Sequence, residues 1–286
     1  MNLVRQFKMD IPDQQSAFLW GARKTGKSTY LRSTFPKAYF FDLLNSETYL
    51  KFLKEPSLFR EEVLAKLDLM PTQNIFVVDE VQKVPILLDE IHWLIENTTA
   101  SFILCGSSAR KLRQKGINLL GGRAWKFHFF PLIFKEIPDF DLLKCLNNGL
   151  IPSHYLSEHA HRFLKSYIED YLILEIQAEG LVRNLAAFSK FIEMASYSNA
   201  EMINYANIAR DCGVDSKTVK EYFQILFDTL IGYEVKPYKL KGKRDIISST
   251  SKFYFFDTGV VNYIAKKQIN TLQGLDGGKS FETYIL

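Results

Sequence analysis

The sequence predicts a doubly wound α/β domain followed by a helical segment and a small α+β unit. Three observations predict it. Short unbroken apolar runs recur before residue 138, amphipathic helical stretches lie between them, and helical periodicity takes over after residue 142. Strands covered on both faces read as continuous rather than alternating apolar runs, the pattern of a parallel sheet flanked by helices. With 286 residues, 47% hydrophobic and 24% charged, the chain can bury a core without disulfide or metal staples.

The strand candidates, in order, are Ala17–Trp20, Ala38–Leu43, Ile75–Asp79, Phe102–Cys105 and Trp125–Phe130. From Leu142 to Tyr197 the strand signal stops. Phe163, Tyr167, Tyr171, Leu174 and Ile176 there mark a helix, after punctuation by Asn148-Gly149 and Pro152. A helical unit fills Ala200 to Leu230. Tyr233–Tyr238 and Lys252–Phe256 then read as strands around a basic, glycine-containing turn. The expected division is a P-loop domain over 1–140, a helical connector or lid over 141–199, a winged helix-turn-helix over 200–260, and a last segment over 261–286.

Composition excludes several classes. A formal charge of +4 is too mild to imply a nucleic-acid partner by itself. Cys105, Cys145 and Cys212 are odd in number and far apart, so no disulfide framework is expected and a reducing compartment is favoured. The five histidines show no metal-ligand pattern. The amino terminus lacks the features of a signal peptide. The aromatic stretch Phe127–Phe134 is interrupted by His128 and Pro131 and is too short to span a bilayer. The expectation is a soluble, cytoplasmic protein with no membrane partner.

Gly21-Ala22-Arg23-Lys24-Thr25-Gly26-Lys27-Ser28 matches the complete P-loop pattern, after one expected strand and at the start of an expected helix. Gly21 and Gly26 let the backbone wrap so that its N–H groups face a β-phosphate. The helix beginning near Lys27 adds its N-terminal dipole. Lys27 is suited to the β- and γ-phosphates and Ser28 to Mg²⁺. The expected nucleotide-binding set is Gly21 to Ser28 together with Thr29, with ATP and Mg²⁺ as cofactors.

About fifty residues on, Ile75-Phe76-Val77-Val78 ends in Asp79-Glu80. An apolar strand delivering Asp at its carboxyl end suits a Walker B element, with Asp79 serving Mg²⁺ through water. Glu80 is placed to orient and deprotonate the attacking water. Taken alone, the same pattern is a solvated acidic strand end. Arg123, on the glycine-hinged stretch Gly121-Gly122, is read as reaching a γ-phosphate in its own chain or in a neighbouring subunit. The competing reading is a surface arginine beside a turn.

These motifs, with Val77-Val78-Asp79-Glu80-Val81-Gln82, Gly106-Ser107-Ser108, Gly121-Gly122-Arg123-Ala124, Pro131-Leu132 and Lys252 to Gly259, resemble predicted ATPases of bacteria and archaea in the AAA+ superfamily. Those proteins carry a C-terminal domain of unknown function. The resemblance covers nearly the whole chain. It implies a sheet of strand order 5-1-4-3-2 and carries Lys27, Ser28, Asp79, Glu80 and Arg123 over as site positions. In P-loop ATPases of this kind the Phe102–Cys105 strand lies between the other two site strands. Ser107 or Ser108 would then sense the γ-phosphate, or cap the following helix. Family members continue well past Gly278 to Glu282 into a nuclease-like fold. A truncated gene, a fragment or a split reading frame is therefore expected, without nuclease activity by this chain alone.

Within Tyr205–Leu226, Ala209, Gly213 and Val219 have the spacing of a helix-turn-helix, and Asp215 or Ser216 can cap its second helix. Lys217, Lys220 and Gln224 on that helix are offset by Glu221 and Asp228. The expected wing is more basic: Lys236, Lys239, Lys241, Lys243, Arg244 and Lys252 stand against Asp245 alone. It suits duplex DNA backbone, or else a solvated hairpin in a packing or self-association module. The leading reading is an ATPase that couples nucleotide state to the winged helix, with a homo-oligomer as one assembly. The alternatives are a nucleotide-gated DNA-binding or docking switch with little turnover, and a decayed ATP-binding fragment.

Overall fold

The computed structural model describes residues 3–108, 120–173, 176, 182, 184–237 and 251–286. They divide into two compact units, Met1–Phe130 and Pro131–Leu286.

The first unit is built on five strands: β1 (Ser16–Trp20), β2 (Tyr39–Asp42), β3 (Ile75–Asp79), β4 (Ser101–Gly106) and β5 (Ala124–His128). All pairings are parallel and the order is β2-β3-β4-β1-β5, the strand order implied by the family resemblance. The helices are α1 (Lys27–Thr34), α2 (Ser46–Lys54), α3 (Ser57–Leu69) and α4 (Leu87–Asn97). Every residue of β1 and β4 is buried, as their unbroken apolar runs require. One face of the sheet packs Ala17, Leu19, Val77, Ile103 and Cys105 against Tyr30 and Leu31 of α1. On the aromatic face Phe76 stacks on Phe102 and Phe59 tilts against both Phe41 and Phe102. Phe59, Phe76 and Phe102 are fully buried, and each such side chain contributes roughly 1.5–3 kcal/mol of transfer free energy. β5 departs from the two-faced pattern: as an edge strand it leaves Trp125 47% exposed.

Parallel pairing has one consequence for function. The carboxyl ends of β1, β3 and β4 share an edge, with Leu19 opposite Cys105 and Asp79 also opposite Cys105. The three segments that follow those strands therefore meet there.

The second unit contains α5 (Leu142–Asn148), α6 (Pro152–Tyr155), α7 (Ala160–Ser166) and α8 (Leu185–Tyr197). Tyr167–Ile173 is π-helical, so the regular helix expected through this stretch is interrupted; Leu174 of that pattern lies outside the described residues. Beyond it come β6 (Glu201–Met202), α9 (Tyr205–Cys212), α10 (Ser216–Asp228), β7 (Gly232–Val235), β8 (Lys252–Phe255), α11 (Thr258–Ile264) and α12 (Leu275–Ile285). An antiparallel sheet of order β6-β8-β7 holds this part together. Gly213 takes the left-handed conformation, φ 68°, between α9 and α10, and Asp215 Oδ1 accepts from Thr218 N at 2.8 Å to cap α10. Val219, Phe223 and Leu226 form the buried stripe of α10. Lys239, Lys241, Lys243 and Arg244 lie outside the described residues.

Long-range packing ties 141–199, 200–260 and 261–286 into this one unit. The buried Asp257 carboxylate accepts from Leu150 N at 2.6 Å and from Val260 N at 3.0 Å. Gly259 lies so close to Asn148 and Gly149 that a Cβ there would meet their backbone at 2.3 Å. Asn199 Nδ2 donates to Thr283 Oγ1 at 2.7 Å, and Asn262 Nδ2 to Ser280 Oγ at 3.1 Å, which seats α12.

Candidate nucleotide site

The loop Gly21–Gly26 leaves the buried end of β1 and enters α1. Its backbone needs two left-handed residues, Lys24 at φ 60° and Gly26 at φ 95°. Gly21 is needed for a different reason: a Cβ there would lie 2.3 Å from the Phe129 carbonyl oxygen at the end of β5. Gly21 N donates to Gly106 O at 3.2 Å, which joins the loop to β4. Buried Thr25 closes the turn by donating its hydroxyl to Ala22 O at 2.8 Å. Arg23 is half-buried, and Lys24 and Thr29 are exposed.

Lys27 is buried, and its Nζ donates to Gly21 O at 2.7 Å and to Ala22 O at 3.0 Å. The ammonium thus lies along the concave side of its own loop. Ser28 Oγ donates to Asp79 Oδ2 at 2.5 Å, and Asp79 Oδ1 accepts from Glu80 N at 3.1 Å. This donor set fits Mg²⁺, a hard cation that takes oxygen ligands and usually keeps several waters. A hydroxyl and a carboxylate already stand side by side. Among the described residues no group of three His, Cys, Asp or Glu could hold a metal without a ligand's help.

Glu80 follows at φ 57°, a left-handed conformation unusual for a side chain of this size. It is buried with Gln82 and Ser107. Gln82 Nε2 donates to Glu80 Oε2 and, at 3.2 Å, to Ser107 Oγ. Ser108 is buried beside Ser107. Cys105, on β4 opposite Asp79, is buried; burial first, and then the negative Asp79, push its thiol well up, so it stays neutral among these charges. An arm before β1 also reaches the loop: Arg5 Nη1 donates to Thr25 O at 2.9 Å and its Nη2 to Phe130 O at 2.8 Å.

The structure therefore brings Lys27, Ser28, Asp79, Glu80 and Ser107 together. It does not bring Arg123 to them. Arg123 precedes the amino end of β5, its carbonyl oxygen accepts from Gln15 Nε2, and its guanidinium pairs with Glu96. Ser16 pairs with Ala124 and Trp20 with His128, so the loop after Trp20 lies about five residues farther along the sheet, roughly 16 Å. Arg123 thus stands apart from the phosphate loop of its own chain. Two participants escaped the reading of the residues. Gln82 sits three positions after Asp79, inside a stretch quoted only for its resemblance; Arg5 left no signal, because its contacts with residues 25 and 130 exist only in three dimensions.

No helix among the described residues is long and apolar enough to cross a membrane. Residues 13–138 match the family model of an AAA domain, and residues 141–271 that of a domain of unknown function. An uncharacterized protein of Haemophilus influenzae is 21% identical, over 90% of this chain and 71% of its own length. An uncharacterized protein of Mycobacterium tuberculosis is 24% identical, over 68% of this chain. The chain spans 45%, about half, of the length of that mycobacterial relative. Among solved structures, the replication initiator DnaA bound to AMPPCP and single-stranded DNA is similar at 14% identity and a TM-score of 0.36, covering 76% of this chain and 83% of that one.

Proposed function

We propose, from the premise that residues 13–138 are a P-loop domain of the AAA type, that this chain binds ATP with Mg²⁺, hydrolyses it, and passes the nucleotide state to its second unit. The observation that carries this reading is the convergence of Lys27, Ser28, Asp79 and Glu80 at the shared carboxyl edge of β1 and β3. When bound, Mg²⁺ supplies charge neutralisation at the phosphate oxygens. Lys27 exchanges its two loop carbonyls for phosphate oxygens, a charge-assisted contact stronger than the one it leaves. Backbone N–H groups of the loop and the first turn of α1 hold the phosphate chain. Ser28 and Asp79 supply oxygen donors to the cation. Glu80 takes the proton of the attacking water, and Ser107 turns its one hydroxyl hydrogen from Glu80 Oε2 to the γ-phosphate, while the Gln82 amide keeps its hold on Glu80. Arg123 acts, in this reading, at the site of a neighbouring copy in a homo-oligomer. Its distance from its own loop favours that over action within one chain.

The second unit is read as containing a winged helix, α9 and α10 with β7 and β8 as the wing. Gly213 and the Asp215 cap support it. A nucleotide-gated DNA-binding switch remains the second reading, favoured by the near-neutral exposed face of α10 only in its weaker, backbone-contacting form. A cytoplasmic location goes with either. The deciding measurement is ATP turnover with and without duplex DNA, in wild type and Glu80→Gln. The variant should bind ATP and turn over at about a hundredth of the wild-type rate or less. Equal turnover in both proteins would remove Glu80 as the base and leave the switch.

A further inference from the structure

We infer that Gln82 is a positioning residue for ATP hydrolysis: its carboxamide clamps one oxygen of Glu80 beside Ser107, which leaves the other oxygen of Glu80 for the attacking water. This rests on the reading of Glu80 as the base.

Gln82 lies in the short 3₁₀ turn Val81–Lys83 and is 1% exposed. Both hydrogens of its Nε2 are used, one on Glu80 Oε2 and one on Ser107 Oγ at 3.2 Å. Ser107 Oγ closes the triangle by donating to the same Glu80 oxygen at 3.5 Å. The amide orientation follows from the role given to Glu80: a carboxylate that serves as base accepts, so nitrogen and not oxygen stands against it. All hydrogen bonds made by Glu80's carboxylate among the described residues fall on Oε2. The carboxylate is thus held from two directions, by a left-handed backbone at φ 57° below it and by the amide and hydroxyl at one oxygen.

A second observation separates this arrangement from ordinary packing. Gln82 Oε1 is buried without a hydrogen-bond partner among the described residues, which is destabilising. The fold makes room for it all the same. At Gly106 a Cβ would lie 2.4 Å from that oxygen and 2.8 Å from the Trp20 ring. A leucine or methionine at 82 would occupy similar space with no orphaned carbonyl. What those residues lack is the pair of donors that the amide places on Glu80 and Ser107.

Two measurements test the clamp. In nucleotide-free protein, the Gln82 side-chain amide, assigned by its disappearance in Gln82→Leu, should exchange slowly with solvent and shift in both Glu80→Ala and Ser107→Ala. In turnover assays, Gln82→Leu should lower kcat about tenfold or more while fluorescent-nucleotide affinity stays within about twofold. Gln82→Asn should recover part of the loss, and Gln82→Leu added to Glu80→Gln should cost nothing further, because both act through one carboxylate. Gln82→Met replaces Gln82→Leu if the latter does not fold. Wild-type kcat in the apolar variant, affinity lost in step with kcat, or an amide signal indifferent to Glu80→Ala overturns the proposal. Failure of the ATPase reading looks different: wild type shows no turnover, or Glu80→Gln matches it.

Discussion

Ser28 Oγ stands 2.5 Å from Asp79 Oδ2, a contact that spans 51 residues of sequence and joins the first turn of α1 to the end of β3. In the proposed reading it marks where Mg²⁺ would be held. Lys27, one residue earlier, points its ammonium back into the loop. Replacing Lys27 by Ala should weaken ATP binding roughly a hundredfold, the scale of a lost charge-assisted contact in a buried setting. Ser28→Ala should act differently, by reducing the Mg²⁺ dependence of binding more than binding in EDTA. Fluorescent-nucleotide titration with and without Mg²⁺ checks both. Wild-type affinity in Lys27→Ala would refute the site.

Arg123 gives a prediction about assembly. If it stabilises transition-state charge in a neighbouring copy, Arg123→Ala should reduce turnover and spare binding. Mixing Arg123→Ala with Glu80→Gln chains should then restore part of the activity, since some sites receive an intact Glu80 and a partner's intact arginine. Absence of rescue, with monomers by light scattering in ATP, would leave Arg123 as the surface partner of Glu96.

Asp257 gives a prediction about pH. Burial raises its carboxyl from the ordinary 3.8 to about 6, against the lowering effect of the backbone N–H groups of Leu150, Val260, Ile151 and Gly259. The folded state therefore holds this proton more tightly than the unfolded chain. Its contribution to stability is fully present below pH 4 and is lost as pH rises through about 6. Asp257→Ala removes this titration and the cap of α11, which should cost about 1 kcal/mol or more. Thermal unfolding should show the gap between wild type and variant widest at acid pH and narrowing towards neutrality. A gap that widens with pH would reverse the assignment.

The basic stretch near Gly242 gives a prediction about nucleic acid. Contact with phosphates is tolerant of sequence and steeply dependent on salt. Replacing Lys239, Lys241, Lys243 and Arg244 together should weaken duplex binding and flatten its salt dependence, measured by fluorescence anisotropy at several salt concentrations. Replacing Lys217 and Lys220 on α10 should matter less, since Glu221 and Asp228 offset them. Absence of duplex affinity at low salt, with or without ATP, would make this part a packing or protein-docking module.

The sequence by itself determined the elements whose cause is local. Five apolar runs became five buried or edge strands, because an unbroken apolar run has no solvent face to offer. Gly21 to Ser28 could be read as a phosphate loop because its glycines, lysine and hydroxyl act through the backbone of one short segment. Gly213 and Asp215 were legible for the same reason: a left-handed turn and a helix cap involve only near neighbours.

Tertiary structure decided what depends on register and on pairs far apart in the chain. Arg123 stands one residue before β5, at the edge away from the loop, and the partners that hold it there, Gln15 and Glu96, are far from it in the chain. Gln82 meets Ser107 only because β3 and β4 pair in the register that sets Asp79 opposite Cys105. Asp257 caps α11 through Val260 N, and its second role, holding Leu150 N more than a hundred residues away, arises from the close approach that Gly259 and Gly149 allow. Hydrogen bonds of a few ångströms select among arrangements that hydrophobic patterning leaves equal, and those distances exist only once the chain has packed.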